Sequence, residues 1–413
     1  MNLSMAVNNI TFGAKIGNIP NINRIAGNNL PLSNIKLNGY NAFIGGDVYT
    51  PSGKIKQDLL FLGKKLVAIN DFNENEINDK INYVILQDET VAPAIVDEHI
   101  HGGYGISFHD SNESQIRELL KKLAERGIGG VVATTLPDSI ENIRKQIDIL
   151  HNIIHNQKEG EARLFGIHLE GPFINPLKKG IHEKEKILVP TVENYESMNP
   201  KDISIVTLAP ELDKGYNLTK YLQEHGVIVS AGHSIALAKQ LADAGIKQVT
   251  HLFNAMSPFH HRVPTITNEG LVNPDVVAEM ISDGVHLAPQ TMNLVMSIKP
   301  SDKLVLVSDA LPYAGLKEDF YMNGVRIHID ENGVAKNADG TIAGSMKFLY
   351  DVAKKLIDTT SATFTDFIRC ACENPAKNIG VGDKFVLKEG SEPIFSVWDN
   401  KTTTVEKTFI NYN

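Results

Sequence analysis

The segment Val96-Asp97-Glu98-His99-Ile100-His101-Gly102-Gly103 closes an apolar run, and strand alternation sends His99 and His101 to the same face. Two imidazoles converging from one strand end make half of a divalent-metal site. Glu170, His233, His251 and Asp309 each also fall at the C-terminal end of an apolar run. Imidazole and carboxylate ligands together suit zinc, iron or manganese better than calcium or magnesium. Such a metal lowers the pKa of water toward neutrality and polarises a carbonyl. A carboxylate outside the tight ligand set can then take the water's proton and hand it to a leaving amine, and Asp309 is the candidate.

These residues need a scaffold that brings strand ends together. Eight apolar runs, 91–97, 130–135, 164–169, 203–209, 227–231, 248–251, 276–282 and 303–308, alternate with helix-like segments. That count closes a parallel barrel, whose βα loops meet at one face and carry the chemistry. Ile116, Leu119, Leu120, Leu123 and Ala124 form one helical stripe ended by Gly127. Ile235, Leu237, Ala238, Leu241 and Ala242 form another after Ser234, ended by Gly245. An open doubly wound sheet fits less well: no Gly-x-Gly-x-x-Gly follows the early strands, and polar residues crowd many strand ends rather than one switch point. The fold class is α/β, a (β/α)8 TIM-like barrel over residues 89–379. Residues 36–88 and 380–413 read as short strands broken by turns and predict a small β-sandwich domain built from both chain ends.

The chain has 413 residues, 42% hydrophobic and 22% charged, with a net charge of -9. An acidic balance excludes non-specific nucleic-acid binding, and no apolar stretch is long enough to cross a bilayer. Residues 1–35 hold no Asp or Glu and are rich in Asn, which predicts a disordered tail without a secretory signal. Cys370 and Cys372 sit two apart in a helical stretch, Phe364 to Lys377, where they can neither bridge nor chelate easily. Buried thiols in a reducing compartment, the cytoplasm, are expected. His168 shares the inward face with Glu170 and is expected to support the ligands rather than join them.

The chain resembles N-acetylglucosamine-6-phosphate deacetylases of the amidohydrolase superfamily from about residue 40 to its end. The motifs are Asp97-x-His-x-His-Gly, His168-Leu-Glu-Gly-Pro-Phe, Lys179-Gly-Ile-His, Ala231-Gly-His-Ser, Thr250-His-Leu-Phe-Asn-Ala-Met, Asp283-Gly-Val-His, Val307-Ser-Asp-Ala and Ile342-Ala-Gly-Ser. The resemblance implies Glu170, His233 and His251 as metal ligands and Asp309 as general base and later acid. It implies that His182 contacts the amide carbonyl or the sugar. Asn254, Ala255, His286 and Arg262 would hold the sugar phosphate, and Ile342, Ala343 and Gly344 would line the sugar pocket. In relatives the arginine crosses from a second subunit, which implies a homodimer. Because His99 and His101 are both present, a second ion bridged by Glu170 is expected, one or two per subunit. The fourth run ends Leu208-Ala-Pro-Glu211, without the lysine that bridges metals in many amidohydrolases. N-acetylgalactosamine 6-phosphate, a cyclic amide, or a catalytically silent scaffold are the competing readings.

Overall fold

Eight parallel strands form along the predicted apolar runs, the first of them shifted to the C-terminal part of its run and beyond: β1 (Ile95–Ile100), β2 (Ile128–Thr135), β3 (Arg163–Glu170), β4 (Ile203–Leu208), β5 (Ile228–Ala231), β6 (Gln248–Val249), β7 (Val277–Met280) and β8 (Leu304–Leu306). The computed structural model describes residues 28–29, 36–37, 39–70, 81–322, 325–331, 333–400 and 404–411. Each strand pairs with its sequence neighbours, in order from β1 to β8. The barrel is completed by a parallel bridge between Ile100 and Ala310. On either side of it, the Asp309 N–H donates to the His99 carbonyl and the His101 N–H to the Ala310 carbonyl, both at 2.9 Å. Closure therefore happens at the chemically loaded strand ends and places Asp309 beside the first-strand histidines.

The helix Glu113–Glu125 starts at an Asn112 capping box and buries Ile116, Leu119, Leu120 and Leu123, the predicted stripe. Burial of such side chains contributes about 1.5–3 kcal/mol each. Gly127 follows with φ +86°, the left-handed position that ends a helix at low steric cost. The second stripe is corrected. Its helix spans only Ala238–Ala244, Ile235 and Leu237 are exposed, and Leu241 and Ala244 carry the burial. The Glu211 carboxylate explains the delay, since it accepts from the Ser234 hydroxyl (2.6 Å) and the Ile235 N–H (2.7 Å) and holds that stretch extended.

The chain ends build two five-stranded sheets. One runs Asn28–Asn29, Ile81–Ile85, Tyr40–Ile44, Asp58–Leu62, Lys65–Asn70; the other Val405–Phe409, Phe395–Asp399, Glu89–Pro93, Asp47–Thr50, Gly53–Lys56. They share one core, in which Phe61 stacks on Phe395 at 5.1 Å and Phe395 on Phe409 at 4.7 Å. This is the expected sandwich, with one difference. The first apolar run is cut at Pro93, so Glu89–Pro93 pairs with Phe395–Asp399 rather than with the barrel. Pro93 lacks an N–H donor and suits a strand end. Of the expected N-terminal tail, residues 1–27 and 30–35 lie outside the described residues, while Asn28–Asn29 pairs with Asn82 and Tyr83. A meander not foreseen from sequence, Phe320–Met322, Val325–Ile329 and Ala335–Lys336, follows β8. It returns the chain so that the Ser345 N–H donates to the Asp309 carbonyl at 3.0 Å, which sets Ile342, Ala343 and Gly344 beside the strand ends.

Candidate active site

Glu170, the last residue of β3, is the hub of the site. Its Oε1 lies 3.0 Å from His251 Nε2, 3.1 Å from His233 Nε2 and 3.5 Å from His99 Nε2. Its Oε2 lies 3.2 Å from His101 Nε2 and 3.6 Å from His182 Nε2. Asp309 Oδ1 completes the ring at 3.1 Å from His101 Nε2 and 3.5 Å from His99 Nε2. Each strand-end residue singled out for metal or base chemistry thus arrives within one small volume, and His182 joins them.

The backbone aims these side chains by adopting conformations that L residues avoid. His233, His251 and Asp309 have φ of +46°, +32° and +48°, with Phe253 and Ala255 also positive. Left-handed backbone costs roughly 1–2 kcal/mol per non-glycine residue and is kept where a site demands it. The conformation also explains why β6 stops at Val249, two residues before the expected end: from His251 onward the chain turns across the barrel mouth. Glu211, where a bridging lysine is absent, instead binds Asn175 Nδ2 at 2.8 Å as well as Ser234, and so holds the loop that carries His233.

The donor set fits a divalent metal. His233 Nδ1 donates to the Lys178 carbonyl at 2.7 Å, which leaves the Nε2 lone pair facing the Glu170 carboxylate and, at 3.1 Å, His251 Nε2. His99 is fixed in the same way, its Nδ1 on Glu279 Oε2 at 2.9 Å, and its buried Nε2 has no hydrogen-bond partner. Lone pairs facing lone pairs and carboxylates call for a cation at their centre. Without a metal, protons serve: burial opposes charge on His101, but Asp309 and Glu170 outweigh it and lift its pKa to about 9. His99 is raised for the same reason by Glu170, Glu279 and Asp309 against burial. Although burial favours their neutral forms, the surrounding imidazoles hold Glu170 well below the carboxylate range and Asp309 at about 2. Burial pushes His182 down to about 3, so it stands neutral.

The other expected residues are placed more loosely. His286 is buried against Asp283, Nδ1 to Oδ2 at 2.9 Å, and Asp283 raises its pKa despite burial. The Asn254 N–H donates to the His251 carbonyl at 2.9 Å, and Ala255 receives the Ser234 N–H at 3.2 Å, so both sit on the turn after β6. Arg262 is exposed on the following loop, where the guanidinium has no partner among the described residues. His168 stays out of the ring. It packs edge-on against His99 at 4.7 Å, donates or accepts at Thr207 Oγ1 (2.7 Å), and is kept neutral by burial and by His99.

Sequence reasoning missed Glu279. Its carboxylate takes His99 Nδ1, the His251 N–H at 3.2 Å and Gln248 Nε2 at 3.0 Å, tying two candidate ligands to the barrel interior. The signal was a glutamate in the middle of an otherwise apolar strand, β7. Removing its charge in Glu279→Gln is expected to weaken metal affinity about 10–100-fold with the fold intact. Competition against a chromophoric chelator measures this, and unchanged affinity would separate Glu279 from the ligands it touches.

The sequence pattern of the Amidohydrolase family matches residues 90–411. This chain belongs to the amidohydrolase family. Among curated relatives, it is 35% identical to the N-acetylglucosamine-6-phosphate deacetylase of Bacillus subtilis (strain 168), over 72% of this chain and 77% of that one. It is 28% identical to the N-acetylgalactosamine-6-phosphate deacetylase of Escherichia coli O157:H7, over 71% and 79%. A mutant N-acetyl-D-glucosamine-6-phosphate deacetylase from Mycobacterium smegmatis, solved in complex with N-acetyl-D-glucosamine 6-phosphate, superposes with a TM-score of 0.81 at 26% identity, over 90% of this chain and 98% of that one.

Proposed function

We propose that this chain hydrolyses the acetamido bond of N-acetyl-D-glucosamine 6-phosphate, releasing acetate and D-glucosamine 6-phosphate in amino-sugar catabolism. The observation that carries the reading is the convergence of Glu170, His233, His251 and Asp309 at one barrel mouth, in a chain 35% identical to a deacetylase of that substrate. A silent scaffold has no use for ligands and base assembled at the cost of left-handed backbone.

Glu170, His233 and His251 would hold one divalent metal; His99 and His101 would hold a second, with Glu170 between them. When bound, the metal lowers the pKa of water and polarises the acetyl carbonyl; zinc, iron or manganese suits these donors. Asp309 is ionised and faces the mouth, its side chain 14% exposed against 3% for Glu170. It accepts the proton of the attacking water and delivers it to the departing nitrogen. Neutral His182 donates a hydrogen bond to the carbonyl oxygen as negative charge develops there. Ile342, Ala343 and Gly344 line the sugar side, while Asn254, Ala255, His286 and Arg262 receive the phosphate.

Arg262 acts from a second copy of the chain in a homodimer. Its guanidinium, without a partner among the described residues, supports this, as do the exposed apolar residues Ile235, Leu237, Phe259 and Val263 on the same and the adjoining segment. Free, buried Cys370 and Cys372 suit a reducing compartment, and the cytoplasm is the proposed location.

Phosphate recognition by His286 predicts a pH dependence. Asp283 raises the pKa of His286 above 6.5, so the imidazolium is present below the raised value and lost as pH climbs through it. KM for the 6-phosphate is therefore expected to rise with pH in that range, while KM for the unphosphorylated sugar stays flat; parallel profiles would remove His286 from phosphate binding. Specificity constants for N-acetylglucosamine 6-phosphate, its galactose epimer and the unphosphorylated sugar test the function itself. Preference for the first supports the proposal, preference for the second assigns the epimer, and no turnover of any by metal-loaded protein overturns it.

A further inference from the structure

At the far end of the barrel from the active site, a second set of ligating side chains converges. His151 and His155 lie one turn apart on the helix Ile140–His155, and both face Asp202, the residue before β4. His151 Nδ1 meets Asp202 Oδ2 at 2.5 Å, and His155 Nε2 meets Asp202 Oδ1 at 3.2 Å. The two rings are 4.5 Å apart, and one donor atom from each of the three residues falls within 4.8 Å of the others.

We propose that His151, His155 and Asp202 form a peripheral site for a divalent transition metal of the zinc or copper class, separate from the catalytic centre. Histidines four apart on a helix present their side chains one above the other, the spacing of a two-nitrogen chelate. Two imidazoles with one carboxylate select borderline ions over calcium or magnesium. Asp202 is held for the purpose: its backbone sits at φ +51°, and its carbonyl accepts the Ile167 N–H at 2.9 Å. Lys201, the residue before Asp202, is drawn to Asp148 on the histidine-bearing helix at 2.7 Å. Both histidines are open to solvent, 40% and 56% exposed, so an ion reaches the site without unfolding, and water fills its remaining positions.

β4 separates this site from the catalytic mouth by its whole length, about 17 Å for six residues. Residues at this end of such a barrel serve stability rather than catalysis. An ion here staples the helix Ile140–His155 to the start of β4 and raises stability by mass action without entering the reaction.

The test uses protein whose catalytic site is already metal-loaded, titrated with Zn2+ for stability and Cu2+ for electron paramagnetic resonance. Wild type is expected to bind one further equivalent in the micromolar range, to gain several degrees in Tm, to show imidazole nitrogen coupling to Cu2+, and to keep its kcat. The double variant His151→Gln, His155→Gln should lose the extra equivalent and the Tm gain. The single variant His155→Gln keeps the His151–Asp202 contact and guards against a folding defect; before metal is added its Tm should match wild type, and after addition it should not rise. Equal metal uptake and equal Tm gain in wild type and double variant would overturn the proposal, as would the absence of any extra equivalent in wild type.

Discussion

Asp309→Asn is expected to lower kcat by ~10³-fold or more while the metal content of the protein stays at the wild-type level. The amide keeps the shape, and the main-chain bond from the Ser345 N–H to the carbonyl of residue 309 is untouched, but the amide cannot take a proton. The carboxyl of Asp309 is held at about 2 by His101 and His99 against its burial, so it is ionised at neutral pH. Five other donors, His99, His101, Glu170, His233 and His251, remain to retain the ions. Elemental analysis beside a turnover assay separates the two roles open to a carboxylate 3.1 Å from a histidine nitrogen. Loss of an equivalent of metal would make Asp309 a ligand rather than the base.

Glu170→Gln should cost both properties at once, with metal bound at least ~10-fold more weakly and little turnover left at ordinary metal concentrations. Two oxygens of this one side chain serve five imidazoles, at 3.0 to 3.6 Å. The amide removes the negative charge that attracts the metal and that holds protons on these imidazoles when metal is absent. The same substitution alters stability in the metal-free protein. His101 is raised from 6.5 to about 9, so its contribution is complete below about pH 6.5 and is lost as pH rises toward 9. Glu170 and Asp309 are lowered, so theirs is present above the ordinary carboxylate range and lost only in acid. Metal-free wild type should therefore lose stability between roughly pH 6.5 and 9, and Glu170→Gln should flatten that slope. Thermal melts across this range report it directly; an unchanged slope would mean that Glu170 does not hold protons on the histidines.

The barrel was legible because a parallel strand buried on both faces writes a continuous apolar run, and because polar residues at the end of each run share one destination. His99 and His101 follow from alternation alone, and Glu170, His233, His251 and Asp309 from the convergence of strand ends. Other features depend on contacts between distant segments. The break at Pro93 reflects pairing with Phe395–Asp399, some 300 residues away, which no local pattern records. The late start of the helix Ala238–Ala244 depends on Glu211, a residue of the preceding βα unit. The roles of His182, His286 and Ile342 to Gly344 came only through resemblance, because each lies in a loop whose path is set by tertiary contacts. Glu279 went unread since a single charge in a strand has no period. His151 and His155 have no third ligand nearby in sequence, and only the fold brings Asp202 to both.

The most direct test of the whole account is acetate release from N-acetylglucosamine 6-phosphate before chelation, after chelation, and after measured re-addition of a divalent metal. The account predicts turnover that disappears with the metal and returns in proportion to the ions bound. Full turnover by protein shown to be free of metal, or none by protein shown to be loaded, would contradict it.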